Sequence, residues 1–198
     1  MPRRLVIATR NRKKFEEMAA ILADLGLDLE PLDAFDGVPA VPETGDTFEA
    51  NACAKAVGYA RATGRWALAD DSGLEVDALG GLPGVLSSRW GGREGDDRAN
   101  NDALLQALAD HPKETWTARY RCVAALATPE GVLAVTEGTC EGRITDRPAG
   151  ANGFGYDPYF FVPSRGRTMA QLAPSAKNRL SHRGRAIRAL KRRLKKLL

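Results

Sequence analysis

Cysteine, histidine and long apolar runs are scarce in this sequence, and each scarcity excludes a class of protein. The three cysteines, Cys53, Cys122 and Cys140, form no CxxC pair, and there are two histidines. This count and spacing predict reduced structural thiols, as in a reducing cytoplasm, and no cysteine-based metal site. The longest apolar runs, such as residues 123–127, fall far short of the roughly 20 residues that a membrane span needs. The first residues contain no apolar signal-peptide core, so we expect a cytoplasmic protein with no membrane partner.

Acidic residues are absent after Asp157. The whole chain of 198 residues has 29 Lys and Arg against 25 Asp and Glu, a formal net charge of +4. Residues 158–198 hold 12 of the basic residues and no acid, so they carry +12. Residues 1–157 hold the other 17 basic residues and all 25 acids, so they carry −8. This asymmetry points to an anionic partner.

The composition is typical of a soluble globular domain, with 43% hydrophobic and 27% charged residues. The composition therefore argues against disorder, and the length suits one domain over residues 1–198, or two small lobes. A strand at residues 3–8, an amphipathic helix ending near Gly26 and a strand at residues 29–32 predict an α/β fold. The further expected elements are a helix from Asp46 or Thr47 to about Thr63, a strand at 66–69, a helix at 97–109, a hairpin of 116–128 and 132–139, a strand at 159–162 and a helix at 181–197.

A polar turn, residues 9–14, lies between the first strand and the first helix. Thr9, Asn11 and Lys14 stand where the backbone N–H groups of a helix N-terminus point outward, which suits phosphate oxygens. The turn contains no glycine and is not a P-loop. A solvated helix cap with no ligand is the alternative interpretation.

Two adjacent carboxylates, Asp70 and Asp71, follow the apolar strand at residues 66–69 and precede Ser72 and Gly73. Such a pair suits Mg²⁺ ligands or a general base, and would be costly to bury unpaired. Because strand side chains alternate, we expect the two carboxylates to point in different directions. The alternative is a polar turn at the end of the strand.

A third group is Glu43, in a long loop, together with Asn51 and Lys55 on one face of the following helix. Glu43 could be a further metal ligand. A capped helix with an ordinary polar face is again the alternative.

Two more groups lie in the last quarter of the chain. Phe154 stands between Gly153 and Gly155, where it is poorly placed for a core and well placed to stack on a planar ring. His182 and Arg183 follow Lys177 and offer donors for a base carbonyl or a phosphate. A basic amphipathic helix without a ligand would explain the second group equally well.

Together these segments resemble the inosine triphosphate pyrophosphatase family, the non-canonical purine nucleoside triphosphate (dITP/XTP) pyrophosphatases. The resemblance runs in order from Leu5 to about Leu190. It rests on Thr-x-Asn-x-x-Lys at 9–14, Glu-Thr-Gly at 43–45, Asn-Ala at 51–52, Ala-Asp-Asp-Ser-Gly-Leu at 69–74, Leu-Gly-Gly-Leu-Pro-Gly at 79–84, Gly-Phe-Gly-Tyr-Asp-Pro at 153–158 and Ser-His-Arg-Gly at 181–184.

The resemblance implies an elongated, curved mixed sheet with flanking helices, two lobes around a nucleotide-binding cleft, and a homodimer. It implies Mg²⁺-dependent hydrolysis of ITP, dITP or XTP to the nucleoside monophosphate and pyrophosphate. Glu43 and Asp71 would hold the metal, and Asp71 would be the catalytic base. The substrate-binding residues would be Thr9, Arg10, Asn11, Arg12, Lys13, Lys14, Lys55 and Ser72 for the phosphates, and Phe154, Gly155, Tyr156, Asp157, Lys177, His182 and Arg183 for the base and the remaining phosphate contacts.

Two other functions fit the sequence less well. A nucleic-acid-binding protein would account for the basic C-terminus but not for Asp70, Asp71, Glu43 or Phe154. Among enzymes, the rival is a different nucleotide hydrolase, such as one acting on modified pyrimidine triphosphates. The Maf-type nucleotide pyrophosphatases fit less well because their opening motif differs. We therefore expect a small nucleotide as the anionic partner, nucleic acid to be an unlikely one, and the remaining basic residues of the last helix to form a solvated face.

Overall fold

The computed structural model describes residues 4–198. Seven strands form one mixed sheet in the order β2-β1-β3-β4-β5-β6-β7. The strands are β1 (Arg4–Ile7), β2 (Asp28–Pro31), β3 (Trp66–Val76), β4 (Thr117–Thr128), β5 (Gly131–Ile144), β6 (Phe160–Val162) and β7 (Arg167–Thr168). The helices are α1 (Arg12–Leu22), α2 (Phe48–Thr63), α3 (Asp97–Leu108), α4 (Pro174–Leu180) and α5 (His182–Leu197). The predicted α/β class with a mixed sheet is confirmed.

The chain divides into two compact units, each built from separate stretches of sequence. The first unit comprises the residues up to Asp71, Cys122–Gly138 and His182–Leu198. The second comprises Ser72–Arg121 and Thr139–Ser181. Because β3, β4 and β5 each contribute residues to both units, no linker separates them, which is why the sequence shows no boundary.

In the first unit, β1 pairs in parallel with β2 and with β3. Helices α1 and α5 contact each other beside these strands. The core is formed by apolar residues of both helices and of β1, β3, β4 and β5. Its buried members are Leu5, Ile7, Met18, Leu22, Leu68, Cys122, Ala124, Leu126, Ala134, Ala186, Ile187, Leu190 and Leu194.

In the second unit, β6 pairs antiparallel with both β5 and β7. Its core includes Leu104 and Leu108 of α3, Tyr120 of β4 and Phe160 of β6. The rings of Tyr120 and Phe160 lie with centroids 4.5 Å apart. None of the helices within residues 4–198 has the length and apolar composition that a bilayer crossing requires.

The predicted helix signals agree with the structure. Asn11 caps α1, and a short 3-10 turn, Ala23–Leu25, leads from α1 to Gly26, which has a left-handed φ of 63°. The Thr47 hydroxyl accepts a hydrogen bond from the Ala50 N–H and begins α2, as one of the two proposed caps. Helix α4 was not predicted, because its seven residues are too few to show a helical apolar pattern.

Strand β3 differs from the expectation in one respect that matters for function. It runs over 11 residues and continues through Asp70, Asp71, Ser72 and Gly73 instead of ending before them. The polar-turn interpretation of these residues is therefore wrong. Both aspartates are buried within the strand, at 3% and 5% exposure, because each is paired with cations.

Candidate active site

Asp71 lies at the centre of a polar cluster in the first unit. Lys55 Nζ is 3.3 Å from Asp71 Oδ1 and 2.9 Å from Glu43 Oε1, so one ammonium joins the two carboxylates. Asn51 Nδ2 donates a hydrogen bond to Asp71 Oδ2 at 3.1 Å. The spacing of Asn51 and Lys55, one turn apart on α2, puts both side chains on the same face of the helix.

Glu43 is held beside this cluster by the loop that precedes α2. The Asn51 Oδ1 accepts a hydrogen bond from the Gly45 N–H at 2.8 Å, and its Nδ2 donates to the Gly45 carbonyl at 3.2 Å. A Cβ on Gly45 would come within 2.8 Å of Ala50 Cβ and of Asn51 Oδ1, so only glycine allows this approach. The Glu43 side chain is 34% exposed, whereas those of Asp71 and Lys55 are 8% and 9% exposed.

Burial and the charges of the cluster shift the pKa values of its members. Burial raises the pKa of Asp71 above its ordinary value, and the charge of Glu43 adds to this, although Lys55 opposes it. For Lys55, burial lowers the pKa, but Asp71, Asp70 and Glu43 together outweigh burial and raise it. Asp71 therefore has the stronger basicity that a general base needs, beside a lysine that stays protonated.

Asp70 belongs to a different network, on the other side of β3. Its Oδ2 lies 3.3 Å from Lys14 Nζ and 3.1 Å from Arg183 Nε. Arg183 is 2% exposed and also binds Glu17 Oε2 through Nη1 at 2.7 Å. Burial acts to raise the pKa of Asp70, but Lys14 and Arg183 outweigh it and hold that pKa far below the ordinary range. The predicted division of the two aspartates between different partners is confirmed.

The opening turn forms the N-terminus of α1. Asn11 Oδ1 accepts a hydrogen bond from the Lys14 N–H, and Thr9 Oγ1 accepts one from the Asn11 N–H, each at 3.1 Å. Arg10 donates to the Val38 carbonyl at 2.6 Å, and the first turn of α1 holds no acid. The turn is therefore a capped helix N-terminus, as in the alternative interpretation of a helix cap. The positive end of the helix dipole lies at the same place, and it suits an anion.

Two of the predicted phosphate residues lie on the solvent side of α1. Arg12 is 91% exposed in its side chain and pairs with Glu16 at 3.1 Å, one turn along the helix. Lys13 is exposed as well. Arg12 and Lys13 are next to the other residues of the turn in the sequence. Their proposed role in phosphate binding stays a prediction.

The Phe154 loop is a separate group in the second unit. Asp157 Oδ2 accepts hydrogen bonds from the Phe154 N–H at 3.0 Å and from Lys177 Nζ at 2.6 Å. The Lys177 ammonium lies 4.6 Å from the centroid of the Phe154 ring. A Cβ on Gly153, whose φ is +79°, would collide with the Asp157 carboxylate, so this position requires glycine. Phe154, Asp157 and Lys177 therefore hold one another in place.

The neighbouring residues anchor this loop. The Gly155 N–H donates to Asp97 Oδ2 at 2.8 Å, and Asn101 Nδ2 donates to the Gly155 carbonyl at 3.0 Å. The Tyr156 hydroxyl donates to the Ser87 carbonyl at 2.7 Å, and burial raises the pKa of Tyr156. Tyr156 is thus a structural support of the loop.

Ser72 and His182 complete the predicted set. Ser72 follows Asp71 in β3 and is half-buried. His182 is the first residue of α5 and is 4% exposed. Gly138 packs so closely on this end of α5 that an added Cβ would collide with the His182 carbonyl. The ligand roles of Ser72 and His182 stay predictions.

A sequence model of the Ham1 family matches residues 5–193. The chain belongs to the Ham1 family. The dITP/XTP pyrophosphatases of Streptomyces avermitilis and Streptomyces coelicolor are each 52% identical to it over 189 residues, which cover 94% of both chains in each comparison. The structure of a HAM1 protein from Coxiella burnetii matches with a TM-score of 0.89 at 42% identity, covering 98% of this chain and 99% of that one. The resemblance read from the motifs is confirmed.

In this Ham1 chain, the structure gives two further residues a part in the site: Asn51, which the sequence placed beside Lys55 without a role, and Glu17. Asn51 bonds to Asp71 and fixes the Glu43 loop, and its spacing from Lys55 was the signal for it. Glu17 binds Arg183, and no sequence signal marked it, because a glutamate in the middle of a polar helix face is ordinary. Both residues act on predicted site residues and lie in the first unit.

Proposed function

We propose that this chain hydrolyses the non-canonical purine nucleoside triphosphates ITP, dITP and XTP to the nucleoside monophosphate and pyrophosphate, and so clears them from the nucleotide pool. Membership of the Ham1 family and similarity to the Streptomyces dITP/XTP pyrophosphatases support the reaction. The observation that carries the proposal is the Lys55 ammonium between Glu43 and Asp71, beside Asn51. A polar turn or an ordinary helix face would not bring these groups together.

Mg²⁺ is the proposed cofactor, and the donor set fits it. Mg²⁺ is usually bound through one or two carboxylates together with substrate phosphates and water. Glu43 and Asp71 supply two carboxylates that one lysine already holds close together, and Glu43 is partly exposed. Within residues 4–198 no group of three or more His, Cys, Asp or Glu side chains is placed to hold a metal ion. When bound by Glu43 and Asp71, Mg²⁺ would neutralise phosphate charge.

The chain's own residues would then perform three tasks. The Asp71 carboxylate, with its raised pKa, takes the proton from the attacking water. Lys55 and Asn51 bind its two oxygens and fix the direction in which it accepts the proton. Lys14 and the N-terminus of α1 offer positive charge to the phosphate groups, since a triphosphate brings about four negative charges that must be balanced before water attacks phosphorus.

The Phe154 loop is the proposed purine-binding element. Its ring offers a stacking surface, and Lys177 beside it offers a donor and no acceptor. Hypoxanthine and xanthine carry a carbonyl acceptor at the six-position, whereas adenine carries an amino donor there. Adenine bound at a site of donors would leave a buried donor without a hydrogen-bond acceptor. The cost of that unpaired group, about 1–3 kcal/mol, discriminates against adenine.

The proposal is tested by turnover of a substrate panel with Mg²⁺, comprising ITP, dITP, XTP, ATP, GTP and dUTP. Rapid hydrolysis of the first three, with little turnover of the canonical nucleotides, is expected. Turnover of ATP faster than that of ITP, or a preference for dUTP, would overturn the substrate assignment.

We propose also that the protein acts as a homodimer in the cytoplasm. The resemblance to the family supports the dimer, and light scattering during gel filtration would test it by giving twice the chain mass of 21.3 kDa. The three cysteines are free, which suits a reducing compartment.

A further inference from the structure

Glu43 lies in the middle of a short segment, residues 41–45, whose burial alternates. The odd-numbered positions of this segment are half-buried, whereas Pro42 and Thr44 between them are exposed. An alternation with a period of two is typical of an extended chain that lies with one side against a surface. The surface here is one face of α2, and we call residues 41–45 the Glu43 segment.

The far end of the Glu43 segment is held by a part of α2 that the active-site cluster does not include. The Val41 N–H donates a hydrogen bond to the Tyr59 hydroxyl at 3.3 Å. Tyr59 is buried, and the Val41 side chain packs directly on Gly58. Glu43 therefore has a fixed point two residues before it, at Val41, as well as one two residues after it, at Gly45.

The spacing of the Glu43 segment matches that of the helix. Asn51, Lys55 and Tyr59 follow one another at four-residue intervals, so they share a face of α2. From residue 51 to residue 59 the helix axis rises about 12 Å, at 1.5 Å per residue. From residue 41 to residue 45 an extended chain covers about 13 Å, at roughly 3.3 Å per residue. Each alternate residue of the segment thus meets the next turn of α2, and the segment runs antiparallel to the helix.

Gly58 determines how closely the Glu43 segment approaches α2. A Cβ at this position would come within 2.7 Å of Val41 Cγ2 and 3.3 Å of Val41 Cγ1. Glycine is less favourable than alanine inside a helix, so a glycine in the interior of the 16-residue α2 calls for a packing reason, and Val41 supplies one. Because valine is stiff at χ1, a side chain at position 58 would displace the segment and not only a methyl group.

We propose that Gly58 and Tyr59 are positioning residues for the Glu43 carboxylate. They act through Val41 and hold that carboxylate in the cluster around Asp71. The inference rests on the proposed Mg²⁺-dependent hydrolysis, in which Glu43 and Asp71 share the metal. Its new content is that the place of one metal ligand is set from a part of α2 that lies one turn beyond Lys55.

The first test is the Mg²⁺ requirement of Gly58→Ala. The concentration of Mg²⁺ for half-maximal ITP turnover should rise about tenfold or more, as for the loss of other groups that orient a metal ligand. The double variant Gly58→Ala/Val41→Ala is the matched control, because the shorter side chain at position 41 gives back the space. Its Mg²⁺ requirement should return close to that of Val41→Ala alone.

A second readout needs neither metal nor substrate. Amide hydrogen exchange, followed by NMR in the metal-free enzyme, reports on the Gly45 N–H, which donates to Asn51 Oδ1 at 2.8 Å. This amide lies on the other side of Glu43 from Val41, so it shows whether a displacement passes along the segment. It should exchange faster in Gly58→Ala and, to a smaller degree, in Tyr59→Phe. Amides of β1 should keep their wild-type rates.

Three results would overturn the positioning role. The first is an unchanged exchange rate at Gly45 in both Gly58→Ala and Tyr59→Phe. The second is a lowered free energy of unfolding in Gly58→Ala with an unchanged Mg²⁺ requirement, which would show a purely structural contact. The third is a raised Mg²⁺ requirement that Val41→Ala does not restore. Exchange at Gly45 still decides the positioning if the wild type hydrolyses no ITP, so failure of the proposed function and failure of this inference give different results.

Discussion

Asp70 and Asp71 are adjacent in β3, yet each binds a different lysine at the same distance. Asp70 Oδ2 lies 3.3 Å from Lys14 Nζ, and Asp71 Oδ1 lies 3.3 Å from Lys55 Nζ. The pKa of Asp70 is lowered, and that of Asp71 is raised. Neighbouring carboxylates whose pKa values are pushed apart are suited to different roles, and we propose that Asp70 is a permanent structural anion and Asp71 the base.

The substitution Asp71→Asn should abolish ITP turnover without unfolding the protein. Asparagine keeps the shape of the side chain but cannot accept the proton, so we expect kcat to fall by at least about 100-fold. Because the folded-state pKa of Asp71 is raised, its own ionisation adds no stability at neutral pH, and Glu43 still pairs with the Lys55 ammonium, so we expect a smaller loss in the free energy of unfolding than in Asp70→Asn. Initial rates and urea denaturation measure the two effects. Near-normal turnover would exclude Asp71 as the base.

The neighbouring substitution Asp70→Asn should instead destabilise the fold. It removes the charge from a buried network and leaves Arg183 with less compensation, for which a cost of about 3–5 kcal/mol is typical. The lowered pKa of Asp70 means that its stabilisation is present above the ordinary carboxyl pKa and is lost only as the pH falls through the lower folded-state value. Urea denaturation at neutral pH should show the loss. The surface variant Asp102→Asn serves as the control, and equal stability of the two variants would contradict this account.

The activity should rise with pH through the pKa of Asp71, because the base must be ionised. Burial raises that pKa above the ordinary 3.8, and the charge of Glu43 adds to this, so the acidic limb of kcat should lie above the usual carboxyl range. Lys55 opposes this shift, so Lys55→Gln should move the limb to higher pH, besides lowering kcat. Rates across the pH range locate the limb. A limb that stays in place in Lys55→Gln would show that Asp71 does not set it.

The Phe154 loop should depend on the absence of a side chain at position 153. In Gly153→Ala the new Cβ would collide with Asp157, which holds both Phe154 and Lys177, so we expect KM for ITP to rise about tenfold or more. Gly166→Ala is the control for the conformational cost alone, because Gly166 has a similar positive φ of 61° and open space around it. Steady-state kinetics of both variants decide the point. An unchanged KM in Gly153→Ala would remove the loop from substrate binding.

The substitution Glu43→Gln should change the Mg²⁺ concentration that the enzyme needs more than it changes the free energy of unfolding. In Glu43→Gln one carboxylate of the proposed Mg²⁺ site is neutral, so the Mg²⁺ concentration for half-maximal activity should rise about tenfold or more. Titration of Mg²⁺ into enzyme freed of metal by EDTA gives that concentration. Glu49→Gln, an exposed substitution on α2, should leave it unchanged. Full activity of the wild type in EDTA would exclude the metal.

Much of this architecture was predictable because its signals are local. The caps at Asn11 and Thr47 and the apolar spacing of α1 and α5 depend on residues within a few positions of one another. The candidate residues Glu43, Lys55 and Asp71 came from motifs, and the structure joins them through one ammonium.

The features that the sequence did not predict depend on contacts between residues that are distant in sequence. Asp70 and Asp71 resembled a turn because nothing nearby in the sequence showed that Lys14 and Arg183 would compensate a buried charge. Once that charge is paired, the strand can continue through both aspartates. The pairing of Asp157 with Lys177, which are 20 residues apart, is another contact of this kind.

Identification of the products of ITP hydrolysis tests the central claim most directly. The wild type is incubated with ITP and Mg²⁺, beside Asp71→Asn, and the products are resolved by ion-exchange chromatography. The account predicts inosine monophosphate and pyrophosphate from the wild type and neither from Asp71→Asn. Inosine diphosphate and orthophosphate from the wild type, or inosine monophosphate from Asp71→Asn at the wild-type rate, would contradict it.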